Sequence, residues 1–179
     1  NVGSALKFVG VKAFKLDVQK MISKAKKNAN YKGDVPENIV LGMTKLFDSI
    51  KKEGNVNTFG ELATKTLFER TLTQRLLMEK HFSENPEIEQ AEIKAPIFII
   101  GMPRTGTTIL HAMMHEDEAN RSPLAWECLV PYPVPKPESF HDNEQLNTIT
   151  KEFGQLFKLV PDFLRKHHMS PTSPQECLG

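Results

Sequence analysis

Residues 94–111 read KAPIFIIGMPRTGTTILH, and this stretch decides the predicted fold. The short apolar run Ile97–Ile100 is bounded by a proline and a glycine, which is typical of a buried strand. A loop flanked by Gly101 and Gly106 follows, and Thr107–His115 then carries apolar residues at helical spacing. A strand, a tight glycine loop and a helix in this order are the layout of a loop that binds an anion at a helix N-terminus.

The residue types in this loop favour a negatively charged ligand. The first turn of a helix has backbone N–H groups without internal partners, and the helix dipole is positive there. Glycines let the backbone approach an anion without a clash from Cβ. Thr105, Thr107 and Thr108 add hydroxyl donors, and Arg104 adds a guanidinium group with a fixed fork of donors.

The loop differs from the nucleotide-triphosphatase pattern G-x-x-x-x-G-K-S/T at one position. The two glycines have the right spacing and Thr108 stands at the Ser/Thr position, but Thr107 replaces the lysine and the cation has moved to Arg104. That lysine normally reaches the β- and γ-phosphates during Mg²⁺-dependent phosphoryl transfer. The sequence therefore indicates a ligand whose terminal group is smaller or needs no metal.

Residues 96–108, PIFIIGMPRTGTT, resemble the 5′-phosphosulfate loop of the P-loop sulfotransferases. The resemblance is to the branch with the motif G-x-P-R-S/T-G-T-T, which includes the tyrosylprotein sulfotransferases. It implies a P-loop NTPase-like α/β fold of three layers with a parallel sheet. It also implies transfer of a sulfonate from 3′-phosphoadenylyl sulfate, without a metal, to a hydroxyl, phenol or amine of a small-molecule or peptide acceptor.

The same resemblance assigns roles to the loop residues. The donor would be held by the loop amides and the residues at its end, and Arg104 would also act in catalysis by neutralising charge on the departing phosphate. The predicted donor-binding residues are Pro103, Arg104, Thr105, Gly106, Thr107 and Thr108.

Glu127 is the candidate general base. It lies within the mostly apolar run Leu124–Pro131, where a buried and unpaired carboxylate would cost several kcal/mol. In the tyrosylprotein sulfotransferases a glutamate shortly after the loop helix is regarded as the base, and Glu127 corresponds to it within about one residue. Two alternatives stay open: Glu127 is the structural partner of an arginine such as Arg121, or a histidine of the pair 167–168 is the base.

The chain divides into a helical N-terminal region, residues 1–95, and the first part of a sulfotransferase domain, residues 96–179. In the first region Ile39, Met43, Phe47 and Ile50 share one helical face, and residues 58–61 form a capping box that starts another helix. A lone strand forms no sheet. We therefore expect the neighbouring strands after residue 179. The resemblance implies that the 3′-phosphate site also lies there, so no activity is expected from this fragment alone.

Composition excludes several classes of function. The net charge is +1, which gives no general attraction to nucleic acid or to a membrane surface. No apolar run approaches the ~18 residues of a membrane span. Cys128 and Cys177 indicate neither a disulfide framework nor a metal site. The cytoplasm is the expected compartment, and a Golgi enzyme without its anchor would have the same sequence features.

Two other functions fit the loop less well. A nucleotide kinase with a modified loop would bind ATP with Mg²⁺, but Thr107 in place of the lysine argues against it. A helical scaffold that keeps a non-catalytic loop would bind neither nucleotide.

Overall fold

The computed structural model describes residues 16–102, 105–162 and 169–174 of the chain. The chain forms two compact units, Asn1–Ile88 and Glu89–Gly179. Each unit has its own hydrophobic core, and the two are treated separately below.

The described residues of the first unit, 16–88, form three helices: α1 Val18–Ala29, α2 Glu37–Glu53 and α3 Thr58–Glu84. Helix α1 packs mainly against α3. The rings of Phe47 on α2 and Phe68 on α3 meet edge to face, with centroids 5.4 Å apart. The buried core combines Leu16, which precedes α1, with the apolar faces of these helices: Met21, Ala25, Ala29, Met43, Phe47, Leu72 and Leu76. The predicted apolar face of α2 is confirmed at Met43 and Phe47.

The helix ends in this unit follow from short polar side chains. The Asp17 carboxylate accepts from the Lys20 backbone N–H at 3.0 Å, and the Asn57 side chain accepts from that of Gly60 at 2.8 Å. The predicted capping box at residues 58–61 is therefore wrong, because the capping residue is Asn57 and Thr58 is already helical. Gly54 ends α2, as its sequence position predicts.

The second unit contains α4 Thr107–His115, α5 Ala125–Leu129 and α6 Glu144–Leu159, with a 3-10 turn at Pro137–Ser139. Helix α4 coincides with the helix that the sequence predicts after the loop. The core lies between α5 and α6, and its buried members are Ala125, Trp126, Ile149 and Phe153. A separate 3-10 turn, Pro86–Gln90, contains the boundary at residues 88 and 89 between the two units.

Two segments without regular structure are tied to this core. The buried side chain of Gln145 on α6 donates a hydrogen bond to the carbonyl of Pro133, in the proline-rich stretch 131–137. The N–H groups of Ala125 and Trp126, at the start of α5, donate to the carbonyls of Ser173 and Pro171 at 3.0 Å each. The beginning of α5 is therefore fixed by backbone contacts with residues 171–173.

The predicted α/β fold with a parallel sheet is wrong for the part of the chain that the structure describes. These residues form helices and connecting segments with no strand, apart from an isolated antiparallel bridge between Leu124 and Pro174. Residues 97–100 run without regular secondary structure, and Phe98 and Ile100 are 80% and 92% exposed. A strand requires a neighbouring backbone that pairs with its N–H and C=O groups, and the described residues provide none for this segment.

Trp126 is expected to contribute most to the stability of the second unit, because it is large and only 1% exposed. Replacing a buried tryptophan with alanine leaves a cavity and costs about 3–5 kcal/mol. We expect Trp126→Ala to lower the free energy of unfolding by this amount in urea titrations. Leu159→Ala, at an exposed position on α6, is the control and should change it little. A loss under about 1 kcal/mol for Trp126→Ala would contradict this account of the core.

Candidate functional site

The glycine loop before α4 lies at the surface. Gly101, Met102, Thr105, Gly106 and Thr108 are exposed, and Thr107 is half-buried. Pro103 and Arg104, two of the predicted donor-binding residues, lie outside the described residues. The described part of the loop is therefore accessible to a ligand from solvent.

Gly101 is required by a close approach within the loop. A Cβ atom at this position would lie 2.7 Å from Cγ2 of Thr107 and 2.9 Å from Oγ1 of Thr105. The Thr105 hydroxyl donates to the carbonyl of Met102 at 2.7 Å, which closes the loop on itself. These contacts place Gly101 against the beginning of α4.

The N-terminus of α4 lacks the capping side chain and the acidic residue that offset the positive end of a helix dipole. Its N-cap is Gly106, which has no side chain to cap it, and its first turn contains no acidic residue. Among the described helices of comparable or greater length, α1 is capped by Asp17 and α2 has Glu37 in its first turn. Helices α3 and α6 each have a capping asparagine and an acidic residue in the first turn. The positive end of the α4 dipole is therefore open to an external anion.

Gly106 has a φ of +92°, a left-handed conformation that L side chains rarely adopt. An added Cβ would meet no atom within 4 Å, so the cost of Gly106→Ala comes from the backbone alone and should be about 1–2 kcal/mol. Gly154→Ala is the matched control, because Gly154 lies inside α6 with equally open space. That variant should be more stable by about 0.5–1 kcal/mol. Opposite signs in thermal unfolding are the expected result, and equal signs would contradict it.

The structure places Glu127 in the first turn of α5, with both carboxylate oxygens in contact. Oε2 accepts from the backbone N–H of Leu124 at 2.9 Å, and Oε1 accepts from Nη2 of Arg121 at 2.5 Å. The side chain of Glu127 is 18% exposed, whereas that of Arg121 is 68% exposed. Glu127 therefore caps the start of its own helix and forms an ion pair at the surface.

Arg121 also contacts an aromatic side chain. Its guanidinium carbon lies 5.8 Å from the ring centroid of Phe140, a cation–π distance. The Phe140 ring in turn meets the buried Trp126 edge to face at 5.3 Å. The ion pair is thus anchored, through Phe140, on the core of the second unit.

The sequence did not indicate the contact with Phe140. Arg121 was an alternative partner for Glu127, and the structure shows that pair; whether Glu127 is also a base stays a prediction. The other candidate bases, His167 and His168, lie outside the described residues. Hydrophobic periodicity could not have predicted this contact, because Phe140 follows a proline-rich segment and lies in no helix predicted from the sequence.

Neither a metal site nor a membrane-spanning helix is present in the described ranges 16–102, 105–162 and 169–174. They contain no cluster of histidine, cysteine and carboxylate side chains that could hold a metal ion. In the same ranges, every helix is too short or too polar to cross a membrane.

Residues 96–179, which include the loop and Glu127, match the model of the Sulfotransferase family. This match covers a little under half of the chain. A stretch of 37 residues is 49% identical to the omega-hydroxy-beta-dihydromenaquinone-9 sulfotransferase Stf3 of Mycobacterium bovis. It covers 21% of this chain and 10% of that protein.

Two solved sulfotransferase structures resemble the chain over most of its length. The sulfotransferase STF1 from Mycobacterium tuberculosis H37Rv is 26% identical with a TM-score of 0.73, covering 90% of this chain and 45% of that one. The sulfotransferase STF9 from Mycobacterium avium is 21% identical with a TM-score of 0.76, covering 92% and 42%. At 21% identity, the likeness to STF9 shows a similar fold only. The chain thus spans less than half of either solved sulfotransferase.

Proposed function

We propose that the full-length protein transfers a sulfonate group from 3′-phosphoadenylyl sulfate to a hydroxyl, phenol or amine of an organic acceptor. In this proposal the loop at residues 101–108 is a P-loop that binds the 5′-phosphosulfate end of the donor, and Glu127 is the general base. The bound donor supplies an activated sulfonate on a phosphate leaving group, and the protein supplies binding, orientation and a proton acceptor.

The open N-terminus of α4 is the observation that carries the proposal. Gly101 packs against Thr105 and Thr107, so it already lies close to the beginning of the helix without a ligand. An anion there gains from the helix dipole and from N–H groups that no side chain of the N-cap occupies. These features fit a sulfate–phosphate linkage, which is anionic and rich in acceptor oxygens.

The side chains of the loop would complete the donor site. Thr107 and Thr108 are the first two residues of α4, in the turn whose N–H groups lack partners within the helix. Arg104 would neutralise the charge that builds on the bridging oxygen as the phosphate departs. Fixed donors of this kind make a divalent ion unnecessary in the proposed mechanism.

Glu127 would accept the proton of the attacking acceptor group. A carboxylate has about four lone-pair positions on its two oxygens, and the contacts with Leu124 and Arg121 use one on each oxygen. The remaining positions can accept a hydroxyl proton. The Mycobacterium bovis relative is named as an omega-hydroxy-beta-dihydromenaquinone-9 sulfotransferase, so an alcohol is the first acceptor class to test.

The decisive experiment is a transfer assay on the full-length protein with sulfonate-labelled donor and a panel of alcohols, phenols and amines. We expect labelled product, tight binding of 3′-phosphoadenylyl sulfate, and no loss of either when EDTA is added. Binding of ATP with Mg²⁺ in place of the sulfonate donor would favour a kinase and overturn the proposal. Binding of neither nucleotide would overturn it in favour of a non-catalytic protein.

A further inference from the structure

The structure assigns a positioning role to Arg121: its guanidinium fixes the orientation of the Glu127 carboxylate for proton transfer from the acceptor. This inference rests on the proposed sulfotransferase function and adds to it a residue outside the loop. It comes from the contacts around Glu127, which link an exposed arginine, a helix N-terminus and the aromatic core of the second unit.

The backbone contact alone leaves the carboxylate free to turn. The N–H of Leu124 holds Oε2 at 2.9 Å, but one hydrogen bond is compatible with many angles of the terminal torsion of a glutamate, which is broad. The Arg121 contact with Oε1 at 2.5 Å adds a second fixed point. Two contacts, one on each oxygen, define the plane of the carboxylate and the direction of its unused lone pairs.

Arg121 is itself held in place from outside α5. It precedes Pro123, whose ring restricts the backbone that leads into the helix. Its guanidinium lies 5.8 Å from the Phe140 centroid, and Phe140 packs on the buried Trp126, the residue before Glu127. The arginine is therefore attached to the same core that carries the carboxylate, although its side chain is 68% exposed.

Stability alone is a weak explanation for this arrangement. An ion pair with one largely exposed partner, here Arg121, adds little to the stability of a folded protein because solvent screens it. Orientation of a reacting group has a much larger effect, since a displacement of about 1 Å can change a rate by about 10²-fold. The pair at Arg121 is thus better suited to fix a geometry than to stabilise the fold.

In the proposed step, Glu127 takes the proton of the acceptor hydroxyl while the acceptor oxygen forms a bond to sulfur. The bond between sulfur and the bridging oxygen breaks, and the departing phosphate keeps its electron pair. Arg121 forms and breaks no bond in this step. It holds the carboxylate in the orientation that receives the proton.

The test uses the full-length protein with its sulfonate donor and an acceptor alcohol, and it compares Arg121→Ala, Arg121→Lys, Glu127→Gln and the double variant. We expect Arg121→Ala to lower kcat by about 10- to 100-fold with little change in the donor KM. Arg121→Lys should recover part of the loss, because lysine donates to the carboxylate without the planar fork. In the Glu127→Gln background, Arg121→Ala should have no further effect.

Arg75→Ala is the matched control, because Arg75 and Glu79 form another exposed pair at 3.0 Å, on α3 in the other unit. It should leave kcat unchanged. An unchanged kcat in Arg121→Ala, an equal loss in the Glu127→Gln background, or full activity of Glu127→Gln itself would each overturn the positioning role. Wild-type protein that neither binds the donor nor transfers sulfonate overturns the proposed function, a result distinct from all three.

Discussion

Glu127→Gln is expected to lower kcat of the full-length protein by about 10²- to 10⁴-fold, the usual contribution of a general base. The amide of glutamine is close in shape to the carboxylate, and its oxygen can still accept from the Leu124 N–H. It cannot take a proton at neutral pH. The loss should therefore appear in kcat, measured with saturating donor and acceptor, rather than in donor binding.

The fold should tolerate this substitution. The ion pair with Arg121 is partly exposed, so its loss should cost at most about 1 kcal/mol in urea unfolding. Glu79→Gln is the control, because that glutamate also pairs with an arginine but lies on α3 in the first unit. If Glu127→Gln retains wild-type kcat, Glu127 is only a structural partner of Arg121.

Arg104→Ala is expected to weaken binding of 3′-phosphoadenylyl sulfate and also to slow transfer. A hydrogen bond to a charged group contributes about 1.5–3 kcal/mol, which corresponds to about 10- to 150-fold in Kd. A donor aimed at charge that develops in the transition state adds about 10²- to 10³-fold in kcat. Calorimetric titration of the donor and single-turnover transfer measure the two effects separately.

The sequence alone supports this prediction, because Arg104 lies outside the described residues. Arg104→Lys should show an intermediate loss, since lysine keeps the charge but not the bidentate fork. Lys151→Ala removes one exposed positive charge from α6 in the same unit and should change neither Kd nor kcat. Unchanged donor affinity in Arg104→Ala would remove the arginine from the donor site.

Local signals predicted much of the candidate site. The bounds of α4 could be predicted because they depend on Gly106 and on the apolar spacing in the residues that directly follow it. The end of α2 could be predicted for the same reason, because it depends on Gly54 itself. Nearby errors, such as the cap at Asn57 in place of Thr58, arose where two adjacent residues can perform the same role.

By itself the sequence predicted the glycine loop, the helix that follows it and the likeness to sulfotransferases that the family model matches at residues 96–179, because these depend on neighbouring residues and on a contiguous motif. Only the tertiary structure decided that residues 97–100 form no strand among the described residues, and that Glu127 pairs with Arg121 beside Phe140. A strand and an ion pair both need partners that no local pattern specifies. Their outcome depends on which distant segments the packing brings together.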